Sequence, residues 1–261
     1  MRMSSNPFRL FVLTIACGAV AFMVISGSLR PDVPETDVGQ AGVAVGDDAA
    51  RAVERVAYRQ DVIRIGDVVV VDGQPNGPIE HDDLAATWEL LDSIWPESLR
   101  GELRQLSVIE EGSRGLVGVV HPAAGGGWIL SLDLADLGDP LLMQETIVHE
   151  LSHVVTLAPD VFSFGAAECS GVRIDLGCAA TGSVLADYAT AFWPGDEGSD
   201  DEDDYVNDYA MTQAHEDLSE TFTAMVLGWT VSGGQVDAKI AMLEADPQLA
   251  ALAVELRTSL D

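Results

Sequence analysis

Positive charge is scarce in this sequence. Thirteen basic residues stand against 43 acidic ones, for a formal net charge of −30 over 261 residues. Lys239 is the only lysine. Nucleic-acid and polyphosphate partners need a basic stripe to neutralise phosphates, and none is visible, so that class of partner is excluded. The acidity speaks for solubility and says little about fold. Cysteine is scarce too, with Cys17, Cys169 and Cys178 the only three. The step from Cys169 to Cys178 matches no common zinc knuckle, which argues against a cysteine metal site. In an exported domain an even local pair reads instead as a disulfide. No internal repeat is apparent, and no cysteine matches a propeptide switch.

One long uncharged run is present, from Leu10 to Leu29. As a helix it would extend about 30 Å, one bilayer core. Arg2 and Arg9 precede it, and Asp32, Glu35 and Asp37 follow it. The positive-inside rule then keeps the N-terminus in the cytoplasm and sends the rest outward. Residues 1–29 therefore read as a signal anchor or a signal peptide cut near Ser26-Gly27-Ser28, with the length of the run favouring the anchor. Thr14-Ile15-Ala16-Cys17 lacks the leucine of a lipid-attachment site. Residues 30–50, rich in Pro, Gly, Asp, Val and Ala without periodicity, read as a flexible linker. Residues 51–261 remain for one well-packed domain, and a hydrophobic share of 48% suffices for its core.

Within that domain Val68 to Val71 reads as a short strand ending at the Asp72-Gly73 turn. Leu84, Trp88, Leu91 and Trp95 recur at helical spacing, and Pro96 stops that helix. Leu103–Ile109, Leu116–Val120 and Trp128–Leu134 read as strands, the last preceded by a turn at Gly125-Gly126-Gly127. Pro140 opens a helix running to about Leu157, and Pro159 closes it. An aromatic-rich stretch from Ser183 to Trp193 and an acidic loop from Asp196 to Asp204 follow. The loop lacks the glycine and terminal glutamate of a known calcium loop, so it reads as solvated. A helix from about Gln213 to Trp229 comes next, then one or two helices over Val236–Leu260 broken near Pro247. His81 and His121 stand alone in turn-like contexts, and Trp88, Trp95, Trp128, Phe192 and Trp193 read as core. A small mixed sheet followed by helices is an α+β arrangement.

Residues 149 to 153 read His-Glu-Leu-Ser-His. On a helix, positions four apart share a face, so His149 and His153 can meet one ion. Glu150 then lies near a water activated by zinc, whose pKa falls to about 7, and can take its proton as the water attacks an amide carbonyl. The neighbours Thr146, Ile147, Val148, Leu151, Ser152, Val154 and Val155 carry no charge. A helix buried among such residues has little structural use for two histidines and a glutamate.

A tetrahedral catalytic site needs a third protein ligand and an open position. The compact solution, a histidine shortly downstream, is absent, since positions 156 and 159 are Thr and Pro. The best source is the segment from Tyr209 to Glu220. Glu216 and Glu220 share a helical face, so one can bind zinc while the other fixes the tautomer of a ligand histidine. His215 and Asp217 are rival ligands that point away from that face. Thr212 reads as the N-cap, which leaves Tyr209 in the loop entering the helix. A phenol there can donate to the oxyanion of a tetrahedral intermediate.

His-Glu-x-x-His with a distant Glu-x-x-x-Glu resembles the glutamate-ligand zinc peptidases, the gluzincins. Tyr209-x6-Glu216-x3-Glu220 is similar to the group that includes the anthrax lethal factor catalytic domain and the clostridial Pro-Pro endopeptidase. The resemblance covers about 100 residues, from Pro140 to Met242, with Thr-Gln-Ala and Leu-Ser standing where relatives often have Thr-Asn-Pro and Phe-Ala. It implies a zincin-like fold in which an active-site helix follows the sheet and a mainly helical lobe ends the chain. It also implies that Glu216 is the third zinc ligand, Glu220 an outer-shell group and Tyr209 the oxyanion donor. Trp128–Leu134 is then expected to be the edge strand that receives a peptide by main-chain pairing. The expected function is that of an extracytoplasmic zinc endopeptidase acting on a peptide or protein substrate, anchored in the membrane or secreted. Two alternatives stand beside it: a non-catalytic zinc-stabilised binding domain, and a tethered acidic adhesion or scaffold module in which the histidines are incidental.

Overall fold

A computed structural model describes residues 63–110, 117–136 and 138–260. The targeting segment and linker expected over 1–50 lie outside the described residues. Among the described residues no helix is long and apolar enough to cross a membrane.

The architecture is α+β. Strands β1 (Ile63–Val71) and β2 (Gln74–Pro75) form a hairpin, followed by helix α1 (Asp82–Ile94) and strands β3 (Leu103–Glu110), β4 (Gly118–Pro122) and β5 (Trp128–Asp133). These five strands make one sheet in the order β2-β1-β3-β5-β4. β3 and β5 run parallel, and the other pairings are antiparallel. Helix α2 (Pro140–Thr156) leads into a second, three-stranded sheet of β6 (Phe162–Phe164), β7 (Val172–Ile174) and β8 (Gly177–Ala179), ordered β6-β8-β7. The chain ends in α3 (Val184–Phe192), α4 (Ala214–Leu227), α5 (Val236–Ala245) and α6 (Pro247–Leu260).

The large sheet has one apolar and one polar face. Leu106, Leu130 and Leu132 are fully buried together with Leu91, Ile94, Met143, Ile147 and Leu151 from α1 and α2. Side chains on the opposite face bond to one another, with Ser107 Oγ donating to Asp67 Oδ1 at 2.7 Å and Gln105 Nε2 donating to the same oxygen at 3.1 Å. The alternation along β5 reports this two-faced sheet correctly. Its edge position was misjudged. β5 pairs with β3 on one side and β4 on the other, so the edge strand beside α2 is β4. The glycine turn folds β4 and β5 into a hairpin, and that hairpin inserts β5 inward. Strand periodicity reports faces, and which edge is covered depends on this return.

Gly118 makes the approach of β4 to α2 possible. A Cβ there would lie 2.4 Å from Thr146 Cγ2. Helix α2 begins as expected, with Pro140 in its first turn and the Asp139 carboxylate accepting from Leu142 N at 3.3 Å. Every residue from Thr146 to Thr156 is buried. Helix α4 is buried along almost its whole length as well. Its N-cap is Gln213, and Thr212 does not cap it, because Thr212 Oγ1 turns back and donates to Tyr209 O at 2.7 Å. The aromatic-rich stretch forms α3, capped by Ser183, and the three-stranded sheet before it had no clear sequence signal. Cys169 and Cys178 are joined as expected, with Cα atoms 5.3 Å apart, and tie β8 to the loop before β7.

The only lysine is buried. Lys239 Nζ on α5 donates to Asp217 Oδ2 on α4 at 2.7 Å and to Asp204 O at 2.7 Å, and it lies 4.0 Å from the Tyr205 ring centroid. Trp193 Nε1 also donates to Asp217 Oδ2, at 2.9 Å. Asp204, expected in a solvated loop, is buried and accepts from Gln235 N and Nε2, both at 2.8 Å. The end of the acidic loop is therefore fastened to α5.

Two stability predictions follow from these buried groups. Lys239→Met leaves Asp217 buried without its cation, and urea unfolding is expected to show a loss of about 3–5 kcal/mol, partly recovered when Asp217→Leu is added. His121 lies on β4, not in a turn, and burial pushes its imidazole down to about 4. The unfolded ring takes its proton near pH 6.5, so between 6.5 and 4 the unfolded state binds more protons and stability falls as pH falls. His121→Leu is expected to remove up to about 3 kcal/mol of that acid loss, read as the difference in unfolding free energy between pH 7 and pH 4.5.

Candidate metal centre

Packing of α2 against α4 brings three donor atoms together. His149 Nε2 lies 3.0 Å from Glu216 Oε2 and 3.1 Å from His153 Nε2, and His153 Nε2 lies 3.3 Å from the same Glu216 oxygen. All three residues are buried. A tetrahedral centre with bonds of about 2.0–2.1 Å sets its ligand atoms about 3.3 Å apart, so this triangle fits one ion bonded to all three. Among the described residues this is the one cluster of histidine, cysteine and carboxylate groups close enough to share a metal.

The helical step of four puts both imidazoles on one face of α2, and α4 supplies the carboxylate from its first turn. Each donor is held from behind. His149 Nδ1 lies 2.7 Å from Glu220 Oε1, one turn beyond Glu216. Asn207 Nδ2 donates to Glu220 Oε2 at 2.6 Å, and the asparagine is itself fixed by Ala210 N donating to its Oδ1 at 2.9 Å. His153 Nδ1 lies 3.1 Å from Ser219 Oγ, which also accepts from Ser152 Oγ. These contacts turn both Nε2 atoms toward Glu216, the arrangement that outer groups impose on metal-binding histidines. The second Glu216 oxygen, Oε1, faces His215 Nε2 at 3.1 Å. His215 thus braces the ligand carboxylate and stays outside the triangle, while Asp217 points away to Lys239.

The electrostatics suit a cation. Burial raises Glu216, but His215 and His153 outweigh it and hold the carboxyl well below its usual range. Burial lowers His153 to about 4, only partly offset by Glu216. An ionised carboxylate and a neutral imidazole are the states that ligands require. Burial also lowers His149, but the Glu220 and Glu216 carboxylates prevail and hold it well above the ordinary imidazole value. A cation bound there would compete with the proton on His149.

The triangle lies beside a cavity of about 610 Å³ lined by His149, Glu150, Tyr209 and Glu220 among others. Glu150 Oε2 accepts from Val120 N at 2.8 Å, a contact that depends on the close approach at Gly118. Burial raises the Glu150 carboxyl to about 7. The Tyr209 and His149 ring centroids are 5.9 Å apart, and the phenol is raised by burial and then by Glu216. The structure therefore gathers all six residues singled out by sequence: His149, Glu150, His153, Tyr209, Glu216 and Glu220. Sequence reasoning missed Ser219, Asn207 and the bracing role of His215. Ser219 was reachable as the residue one turn beyond Glu216, whereas Asn207 carried no signal because a loop delivers it.

Metal analysis tests the cluster. Glu216→Ala is expected to remove most of the divalent metal that the wild type retains after dialysis. Glu220→Gln is expected to keep one ion per chain with affinity about 10–100-fold weaker, read by competition against a chromogenic chelator.

Comparison of the chain with protein-family profiles, with curated proteins and with solved structures finds no match.

Proposed function

We propose that this chain is a zinc-dependent endopeptidase of zincin-like fold, with His149, His153 and Glu216 as zinc ligands. The observation that carries the reading is the position of Glu150. A metal site that served only stability would have no need of a buried carboxylate beside its ligands at the wall of an open cavity. The gluzincin resemblance and the Glu220 contact to His149 Nδ1 support the same reading.

Zinc bound to this triad would supply the Lewis acidity that makes water nucleophilic near neutral pH. Glu150 would take a proton from water as its oxygen attacks the scissile carbonyl carbon, and would pass that proton to the amine nitrogen as the C–N bond breaks. The Val120 N–H fixes Oε2, which leaves Oε1 for the transfer. Tyr209 stays protonated beside the anionic cluster and donates to the carbonyl oxygen as charge develops there. The edge strand β4, whose Val120 N–H is held by Glu150, is the strand placed to receive an extended substrate through its remaining outward main-chain groups, in place of β5. The Cys169–Cys178 bond and the N-terminal apolar run support action outside the cytoplasm.

The test is turnover of a peptide library by the full chain. Glu150→Gln is expected to lower kcat by about 10²–10⁴ with zinc content unchanged. Tyr209→Phe is expected to lower kcat by about 10²–10³ while KM changes little. Zinc retention in a wild type that cleaves nothing would replace this reading with that of a zinc-stabilised binding domain.

A further inference from the structure

The cavity beside the metal triad has walls of one charge. Glu145 extends from α2 one turn before His149, and Glu202, Asp203 and Asp208 come from the loop opposite. With Glu150 and Glu220 this makes six carboxylates around one opening, and among the described residues no lysine or arginine lines it. The described arginines that pair with carboxylates do so elsewhere, Arg64 with Asp67 and Arg100 with Asp92 and Glu97. Among the described residues no basic side chain reaches Glu145, Glu202, Asp203 or Asp208.

A general excess of acid does not explain this wall, because the wall is built. Lys239 and Gln235 grip Asp204 from behind, Tyr205 Oη donates to Ser199 O at 3.1 Å, and Asn207 is fixed to Glu220. The carboxylates on either side of these anchors are held beside the opening without a counter-charge among the described residues. Glu145 feels the consequence: burial, then Glu220 and Asp139, raise its carboxyl. Two aromatic side chains, Tyr205 and Trp229, share the lining and give the stem of a long cationic side chain something to pack on. A cleft of one sign with low-dielectric walls concentrates the opposite charge.

We propose that this cleft selects peptides carrying arginine or lysine close to the scissile bond, with Glu145 on one wall and Glu202, Asp203 and Asp208 on the other as the specificity-determining residues. The inference rests on the peptidase reading, and binding separates the two. Nine-residue fluorescein-labelled peptides with Arg, Gln or Glu at each scanned position are offered to the zinc-loaded full chain carrying Glu150→Gln, and the same unlabelled set is offered to the wild type for cleavage. The Arg peptide is expected to bind at least about tenfold more tightly than its Glu counterpart at one or more positions, with the preference shrinking as salt rises. The paired change Glu145→Gln with Asp208→Asn is expected to reduce the Arg-to-Gln ratio in both assays by about tenfold. Glu244→Gln with Asp237→Asn, exposed on α5 and equal in charge change, is the control and should leave the ratio alone. Cleavage without any basic preference, or an equal effect of the control pair, overturns the inference and leaves the peptidase reading standing. Basic preference in binding without cleavage by the wild type keeps the cleft assignment and removes the peptidase.

Discussion

The contact between α2 and α4 is the constraint on which the rest of this molecule depends. Two helices that are buried over most of their length meet at a point where each carries ionisable groups. Burying three imidazoles and three carboxylates there is unfavourable unless every one finds a partner. The partners are largely one another: Glu216 between His149, His153 and His215, Glu220 against His149, and Glu150 on the Val120 amide. A cation at the centre would complete this arrangement, which makes metal binding and the packing of the two helices parts of one free energy.

The surroundings are arranged to hold that contact. From the front, β4 reaches α2 because Gly118 has no side chain, and this delivers a main-chain donor to Glu150. From behind, the only lysine of the chain lies in the interior, where it joins α5 to Asp217 on α4 and to the backbone of the acidic loop. The same loop carries Asn207 to Glu220 and lines the cavity. Lys239 therefore connects the rigidity of α4 to the position of the cleft wall. An anion-rich protein with a single lysine places it where desolvation makes each charge count most.

Much of this was legible in the residues themselves. The helical step between His149 and His153, and between Glu216 and Glu220, is a property of local geometry, so both pairs could be placed on one face each before any tertiary contact was known. Proline positions gave the start of α2 and the break between α5 and α6, because a missing N–H and a fixed φ act locally. Less local features were misjudged. The edge of the sheet depends on how a glycine turn folds back, and Thr212 looked like a cap while its hydroxyl found Tyr209 O instead. The short strands between Val161 and Ala180 are too brief to show a period.

By itself, then, the sequence determined the α+β order, the helical spacing that puts His149 with His153 and Glu216 with Glu220 on one face each, and the local disulfide, since each follows from spacing along the chain. Spacing alone left open which of Glu216 and Glu220 faces the two Nε2 atoms, a choice made before the fold only by the resemblance; tertiary structure alone decided that β4 and not β5 borders the cleft, and that Asn207, Ser219 and Lys239 serve the site. Those assignments turn on which oxygen or nitrogen lies within about 3 Å of another across segments far apart in sequence, and such distances are fixed by packing and not by periodicity.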